Sequence, residues 1–320
     1  MKIFLRKLGY IFGMLFLISI ISFLAIHAAP NSFLGAGELN PNMTKEAIAN
    51  LKAIYGLDKP LVVQYFNWVV NMLQLNFGIS FVSGNDVSQE IFKRLPITLS
   101  LNIISLIFVF FFSLYLGVIA ALNYEKKTDG FIKQLSLLSF SLPSFYLALL
   151  LIIIFSVNLK IFPIAGVHSV DATGDGFKYY LDMSWHFILP VSIMVFGGLG
   201  SMIIYVRSLT LEILKSDYYY FALSRGLSKK QLLRYYILPN LLPPIVTLLG
   251  LSLPGLMGGS IILEQIFAIP GMGQLFYFSA LSRDYPTILG ILMISAFLTL
   301  LGNILADLIL LKLNPYMQKA

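Results

Sequence analysis

Tyr218-Tyr-Tyr-Phe-Ala-Leu-Ser-Arg-Gly-Leu-Ser-Lys-Lys-Gln-Leu-Leu-Arg-Tyr-Tyr-Ile-Leu-Pro239 is a basic, aromatic island between two long apolar runs. It reads as two short helices joined at Gly226. Ser216 or Asp217 can cap the first, and an acid at that end suits the helix dipole. Tyr218, Phe221, Ala222 and Arg225 fall near one face by the i, i+3, i+4, i+7 rule. Ala222 is small, so another backbone can approach there. Gly226 stands where a left-handed C-terminal cap is wanted, a conformation Gly adopts cheaply. Ser228-Lys-Lys-Gln231 fits a capping box, opening a second helix that runs from Lys229 towards Leu238 and stops at Pro239. Pro243 and Pro244 then fall at the start of the next run, where a missing N–H costs least.

The island is set in an unusually apolar chain. The 320 residues are 58% hydrophobic and 12% charged, with a mean hydropathy of +0.84. A soluble domain cannot hide that much apolar surface. A spanning helix takes about 20 apolar residues. Six stretches qualify, at 8–29, 97–124, 134–159, 183–206, 235–263 and 285–306, and the first three carry no Asp, Glu, Lys or Arg. Lys2, Arg6 and Lys7 precede the first as they would a secretory signal. Its apolar core is longer than a signal's and no A-x-A site ends it, so a retained first span is expected. Lys126, Lys127, Lys133, Arg207, Lys215, Arg225, Lys229, Lys230 and Arg234 gather in two segments that share a side with the N-terminus. The positive-inside rule then gives N-in, C-in topology. The same bias accounts for the net charge of +7 without any nucleic-acid partner. The expected fold is all-α, a polytopic membrane protein of six transmembrane helices.

The expected organisation is a tail and first span at 1–29, a small extracytoplasmic helical domain at 30–96, a five-helix core at 97–311 carrying the cytoplasmic loop 207–239, and a cytoplasmic tail at 312–320. In the outer domain a helix is expected at 44–56, a second from 61 to 75 after Pro60, and a third from 86 to 95 before Pro96. This domain is either a lid on the bundle or a docking surface for a soluble protein. Asp171-Ala-Thr-Gly-Asp-Gly176 lacks most ligand positions of a calcium loop and reads as a polar turn. Ile269-Pro-Gly-Met-Gly273 offers glycines for tight turns near the membrane. By physics alone the inner loop is open to three readings: an amphipathic pair resting on anionic lipid, a lever into a soluble motor, or a gate over the chain's own pore.

The loop resembles the EAA loop of binding-protein-dependent ABC import permeases, whose pattern is E-A-A, three residues, Gly, nine residues, then I-x-L-P. Counted from Gly226, the E-A-A slots hold Tyr220, Phe221 and Ala222, and the terminal slots hold Tyr236, Leu238 and Pro239. Ala222, Gly226, Leu238 and Pro239 match. Other stretches resemble the peptide/nickel branch of that family: Arg207 followed by Asp217 and Tyr218; Glu264-Gln-Ile-Phe-Ala-Ile-Pro-Gly-Met-Gly-Gln-Leu275 with Pro270, Gly271 and Gly273; Arg283-Asp284-Tyr-Pro286; Tyr55-Gly-Leu-Asp-Lys-Pro60; and Asn76-Phe-Gly-Ile-Ser80. Asn314-Pro-Tyr316 replaces the branch's D-P-R. The resemblance implies a type I ABC importer permease fold in the bacterial cytoplasmic (inner) membrane. It also implies a second homologous permease, two cytoplasmic ABC ATPases, an extracytoplasmic binding protein and a substrate among dipeptides, oligopeptides or nickel, free or chelated. Asp217, Tyr218, Phe221, Ala222, Arg225, Gly226, Leu238 and Pro239 would make the ATPase-coupling loop. Glu264, Pro270, Gly271, Gly273, Arg283 and Asp284 would make an outer-face motif, where Glu264 and Arg283–Asp284 could touch the binding protein or pair with each other.

Other chemistry is thin. With no Cys, disulfides, cysteine metal sites and thiol catalysis are excluded. His27, His168 and His186 are not at metal-ligand spacing, and no metal is expected. No Walker A sequence is present, so the chain is not expected to be an enzyme or to bind a cofactor; ATP and Mg would belong to partner ATPases. Asp307 is the acid at the inner end of the last apolar run, where a partner-paired or water-facing acid near the interface is expected rather than a proton relay. An ion-coupled secondary transporter would need an ion site and usually an internal repeat; neither is visible.

Overall fold

The computed structural model describes residues 2–28, 59–169, 176–252 and 261–313. Within them the regular structure is helical, apart from an isolated bridge between Ile79 and Asp86, as the all-α expectation requires. In chain order the helices are α1 (Lys2–Ala28), α2 (Leu61–Leu73), α3 (Val87–Leu122), α4 (Lys127–Ser141), α5 (Ser144–Leu151), α6 (Phe177–Leu214), α7 (Asp217–Ser224), α8 (Lys229–Leu232), α9 (Leu238–Ser252), α10 (Ile261–Ile266), α11 (Met272–Leu281) and α12 (Tyr285–Leu313). Two π-helical stretches, Ile152–Asn158 and Leu233–Ile237, prolong α5 and join α8 to α9. The helix expected at 44–56, residues 171–175 of the polar turn and Asn314-Pro-Tyr316 lie outside the described residues.

Four helical stretches among the described residues are long and apolar enough to cross a membrane: Gly9–Ala28, Val87–Leu122, Phe177–Leu214 and Tyr285–Leu311. The run at 134–159 is not a straight span. α4 and the α5 stretch meet at 98°. Leu142 takes an extended conformation (φ −84°, ψ 123°) ahead of Pro143, because the proline ring crowds a helical residue before it. The helical piece expected to end before Pro96 is instead continuous with the second span, since α3 runs through Pro96. Its 36 residues make a rod about 54 Å long, well beyond the roughly 30 Å hydrocarbon core. The run at 235–263 is occupied by α9 and α10, with 253–260 outside the described residues.

The chain divides into two compact units. The first holds residues 1–98 and 270–301. Phe77, Val87, Ile91, Met272, Ile291, Met293 and Ile294 form its core, with Leu15, Trp68 and Leu275 against it. A smaller cluster of Ile26, Tyr285 and Leu289 adjoins Trp68 and Phe81.

The second unit holds residues 99–269 and 302–320. Its centre is the packing of α4 on α6, where Ile132 and Ile203 meet with Ala120 of α3. The contact is close because Gly200 has no side chain: a Cβ there would lie 2.5 Å from the Ser136 carbonyl oxygen. The Ser139 hydroxyl accepts from the Gly200 N–H at 3.0 Å. Small residues of this kind let membrane helices approach backbone to backbone.

Candidate functional site

The loop at 216–239 folds as two helices about Gly226. α7 starts at Asp217, which stands in its first turn. Ser216 holds the N-cap position, but its hydroxyl donates to the Ile213 carbonyl at 2.6 Å instead of capping α7. Ala222 is fully buried within this chain, so the close approach it permits is already made internally. Tyr218, Tyr220 and Phe221 are exposed, whereas burial pushes the Tyr219 phenol up from its ordinary value. The Arg225 guanidinium sits over the Phe221 ring, 5.7 Å from its centroid. Gly226 has φ +76° and its N–H donates to the Leu223 carbonyl at 3.0 Å, the left-handed turn that glycine accommodates without strain. The expected capping box is present. The Gln231 N–H donates to Ser228 Oγ at 3.3 Å, and the Ser228 N–H donates to Gln231 Oε1 at 2.9 Å.

The second helix does not stop at Pro239. From α8 it passes through the π-helical Leu233–Ile237 into α9, with Pro239, Pro243 and Pro244 inside. A π turn inserts one extra residue. Leu232, Ile237, Leu241 and Ile245 are all buried, at a spacing of five and then four and four, so the insertion keeps a single buried face. Side chains serve carbonyls along the proline-rich stretch. The Asn240 amide donates to the Tyr236 carbonyl at 2.6 Å, and the Thr247 hydroxyl donates to the Pro243 carbonyl at 3.0 Å. Leu238 and Pro239 therefore lie within a continuous helix leading from the loop towards the apolar run. Tyr235, like the α7 aromatics, is exposed, and Arg225, Lys229, Lys230 and Arg234 are exposed beside them.

The other motif is built on two helix ends. α10 closes with the Ile269 N–H on the Glu264 carbonyl at 2.8 Å and the Ala268 N–H on the Gln265 carbonyl at 3.3 Å. That is a Schellman cap, and its left-handed residue is Ala268 (φ 47°). α11 ends the same way. Asp284 N–H bonds the Ser279 carbonyl at 2.8 Å, Arg283 N–H the Ala280 carbonyl at 3.4 Å, and Arg283 has φ 56°. The turns are thus made by Ala268 and Arg283, not by the expected glycines. Gly271 is the extended N-cap residue of α11 (φ −99°) after Pro270, and Gly273 is buried in its first turn. Glu264 is fully buried. The Asp284 carboxylate is also buried, and accepts from Ser80 Oγ at 2.5 Å, the Phe81 N–H at 3.0 Å and Thr287 Oγ1 at 2.8 Å. It therefore ties the Asn76–Ser80 stretch to Arg283–Pro286, two segments that sequence reading singled out separately.

Sequence reading missed Asp129. Arg207 grips it with two parallel bonds, Nε to Oδ1 at 2.6 Å and Nη2 to Oδ2 at 2.8 Å. The Glu125 N–H adds a third at 3.1 Å, and the guanidinium lies over the Tyr124 ring, 5.4 Å from its centroid. Asp129 is fully buried, with Lys133 Nζ 3.7 Å away. The available signal was an acid four residues before Lys133, one of two with Glu125 in a basic segment. Asp182 is a second unforeseen centre: it accepts from Ser169 N–H at 2.7 Å and Ser169 Oγ at 2.6 Å, and lies 3.5 Å from His168 Nδ1. Among the described residues no group of three or more His, Asp and Glu side chains could hold a metal ion. A cleft of about 410 Å³ beside α3 and α6, lined by Ile104, Phe108, Phe112, Phe187 and Val191 with Ser184 and Ser192, carries no titratable side chain.

Comparison with known proteins agrees with this frame. Residues 113–319 match the family described as binding-protein-dependent transport system inner membrane component, and residues 1–102 match its N-terminal companion. The oligopeptide transport system permease protein AppB of Bacillus subtilis is 36% identical over 299 residues, 93% of each chain. The metal-staphylopine import system permease protein CntB of Staphylococcus aureus (strain NCTC 8325 / PS 47) is 33% identical over 321 residues, 99% of this chain and 98% of that one. A chain from the inward-facing MetNI methionine ABC transporter shares the fold with a TM-score of 0.52 at 19% identity, over 68% of this chain and 93% of that one. The chain is a multi-pass permease of the cytoplasmic membrane, a component of a transport complex, and belongs to the binding-protein-dependent transport system inner membrane component family of ABC importer permeases.

Proposed function

We propose that this chain forms half of the translocation path of an importer for dipeptides or oligopeptides, with nickel or another metal as a chelate the second substrate class. The name of AppB supports peptides, and that of CntB supports a chelated metal. The other half would be a second homologous permease, with two cytoplasmic ATPases and an extracytoplasmic binding protein completing the complex. In this reading the chain crosses the membrane six times with both ends inside. The bent α4–α5 pair makes one crossing and the run at 235–263 another. The outer domain at 30–96 and the motif from Glu264 to Asp284 then lie on the outer side.

The observation that carries the coupling role is the loop itself. Rigid caps at Gly226 and Ser228 hold an exposed face of Tyr218, Phe221 and Arg225, and from there one helix continues through Pro239. A push on α7 reaches α9 without a flexible joint other than Gly226. Closure of the ATPases would move this loop and rock the spans, opening the path outward.

The test is ATPase stimulation of the reconstituted complex by binding protein loaded with dipeptides, longer peptides or nickel chelates. A peptide-loaded form is expected to stimulate. Gly226→Pro is expected to abolish stimulation, because proline cannot adopt positive φ. A chain that never co-purifies with an ATPase and still transports as Gly226→Pro overturns the reading.

A further inference from the structure

α2 carries three different faces. About 100° of turn per residue places Gln64, Tyr65, Trp68 and Met72 on one side, and these meet the rest of their unit. Tyr65 Oη lies 2.7 Å from Ser19 Oγ, Gln64 Oε1 lies 3.2 Å from His27 Nε2, and the Trp68 and Phe23 rings are 5.7 Å apart. Trp68 also packs on the cluster of Ile26, Tyr285 and Leu289. The next third of the circumference is Val62, Phe66, Val70 and Leu73, which are 66, 61, 52 and 71% exposed. The remaining third is Asn67, Asn71 and Gln74, also exposed. No charged residue occurs anywhere from Leu61 to Asn85.

A soluble cap would not leave four large apolar side chains bare on one side of a 13-residue helix. The depth of α2 explains them. Its partners His27 and Ile26 are at the end of α1, and Tyr285 begins α12. Both are ends of candidate membrane spans, so α2 lies at the level where those spans leave the bilayer. Tyr65 reaches further in: Ser19 is nine residues inside the end of α1, about 13 Å along the axis. Phe12, Phe16, Leu17, Ile21 and Leu24 of α1 are exposed as well, which in a membrane span is the lipid-facing surface. Phe16 of that surface lies against α2, its ring 6.5 Å from that of Tyr65.

We infer that α2 is an interfacial helix whose Val62, Phe66, Val70 and Leu73 face rests in the acyl–headgroup boundary of the bilayer, with Asn67, Asn71 and Gln74 turned to water. Trp68, packed on the span ends at Ile26 and Tyr285, holds it at that level, as ring side chains with a polar edge do at membrane interfaces, while Tyr65 runs down along α1 to Ser19. Part of the segment placed outside as a folded domain is thereby a membrane-surface element. The leaflet it occupies follows from the topology proposed above.

The chain's lack of cysteine makes the test direct. Phe66→Cys, Val70→Cys, Asn67→Cys and Asn71→Cys are each labelled with an environment-sensitive fluorophore in the full complex in lipid vesicles. All four side chains are exposed, so the substitutions remove no core contact. Fluorophores at 66 and 70 are expected to be quenched several-fold more by a nitroxide tethered to the lipid than by aqueous iodide, and those at 67 and 71 the reverse. Equal iodide quenching at all four positions overturns the inference. So does shielding of 66 and 70 from both quenchers, which means that protein covers the face. The readout needs neither transport nor ATPase, so a failed importer assay leaves it standing, and its failure leaves the importer reading untouched.

Discussion

Ala268 and Arg283 do at two helix ends what glycine usually does, and the cost is local. A non-glycine residue in the left-handed region loses about 1 kcal/mol to contact between its Cβ and the backbone. Ala268 is exposed and its side chain contributes little, so Ala268→Gly relieves that contact at once. The variant gains about 0.5 kcal/mol after the greater freedom of the unfolded chain is deducted, read as a raised melting temperature of the complex in nanodiscs; a lowered one would mean that the methyl group packs. Asp129 is the opposite case. Its carboxylate is fully buried and holds a guanidinium whose side chain is 13% exposed. Asp129→Asn leaves that cation with a neutral partner, a loss of about 3 kcal/mol. Exchanging the two residues, Asp129→Arg with Arg207→Asp, restores part of it; no recovery in the exchange would place the defect in packing rather than in charge.

Helices in this chain were legible where their determinants are local. The two-helix form of the inner loop, the turn at Gly226 and the Ser228–Gln231 box were all written within three or four residues of one another. Proline was misread in two directions. Pro96 and Pro239 sit inside helices, while Pro143 marks a 98° break, and a leucine precedes each of the three. What separates them is how the surroundings of each proline satisfy the backbone groups it leaves without a helical partner. Asp129 escaped notice because its partner is 78 positions away. Asp284 was singled out but not its role, since Ser80 is 204 positions off. The contact between α4 and α6 depends on the missing side chain of Gly200. Gly200→Ala drives a Cβ against the Ser136 carbonyl oxygen and the Phe140 nitrogen, at 2.5 and 3.0 Å. Backbone cannot swing aside as a side chain can, so the two helices must separate, at about 1–3 kcal/mol. Gly197→Ala, where nothing lies within 4 Å, is the matched control and should melt as the parent does.

For the whole molecule, the family and the all-helical architecture followed from motifs spread over the full chain, while the number of crossings is where sequence and structure part. The sequence counts six apolar runs; the described residues hold four candidate spans and one bent pair. A pair bent by 98° either crosses as a broken span or turns back as a re-entrant loop, and the two differ in which side Lys127 occupies. Single cysteines decide it, because the parent chain has none. Ser169 precedes α6 and Ser228 follows it. α6 has 38 residues, about 57 Å, so Ser169→Cys and Ser228→Cys label from opposite sides whatever the bent pair does. Lys127→Cys, at the exposed start of α4, then reports on the pair alone. Labelling from the Ser228 side, with a membrane-impermeant maleimide on oriented vesicles, means that α4 and α5 together cross and that the positive segments at Lys126–Lys133 and Arg207–Arg234 share the inner face. Labelling from the Ser169 side makes the pair re-entrant, removes one crossing, and sets the positive segments Lys126–Lys133 and Arg207–Arg234 on opposite faces against the charge bias. The expected result is the first, because Asp129 and Arg207 are bonded and a bidentate pair holds both residues at one depth: the Arg207 end of α6 fixes the side of α4.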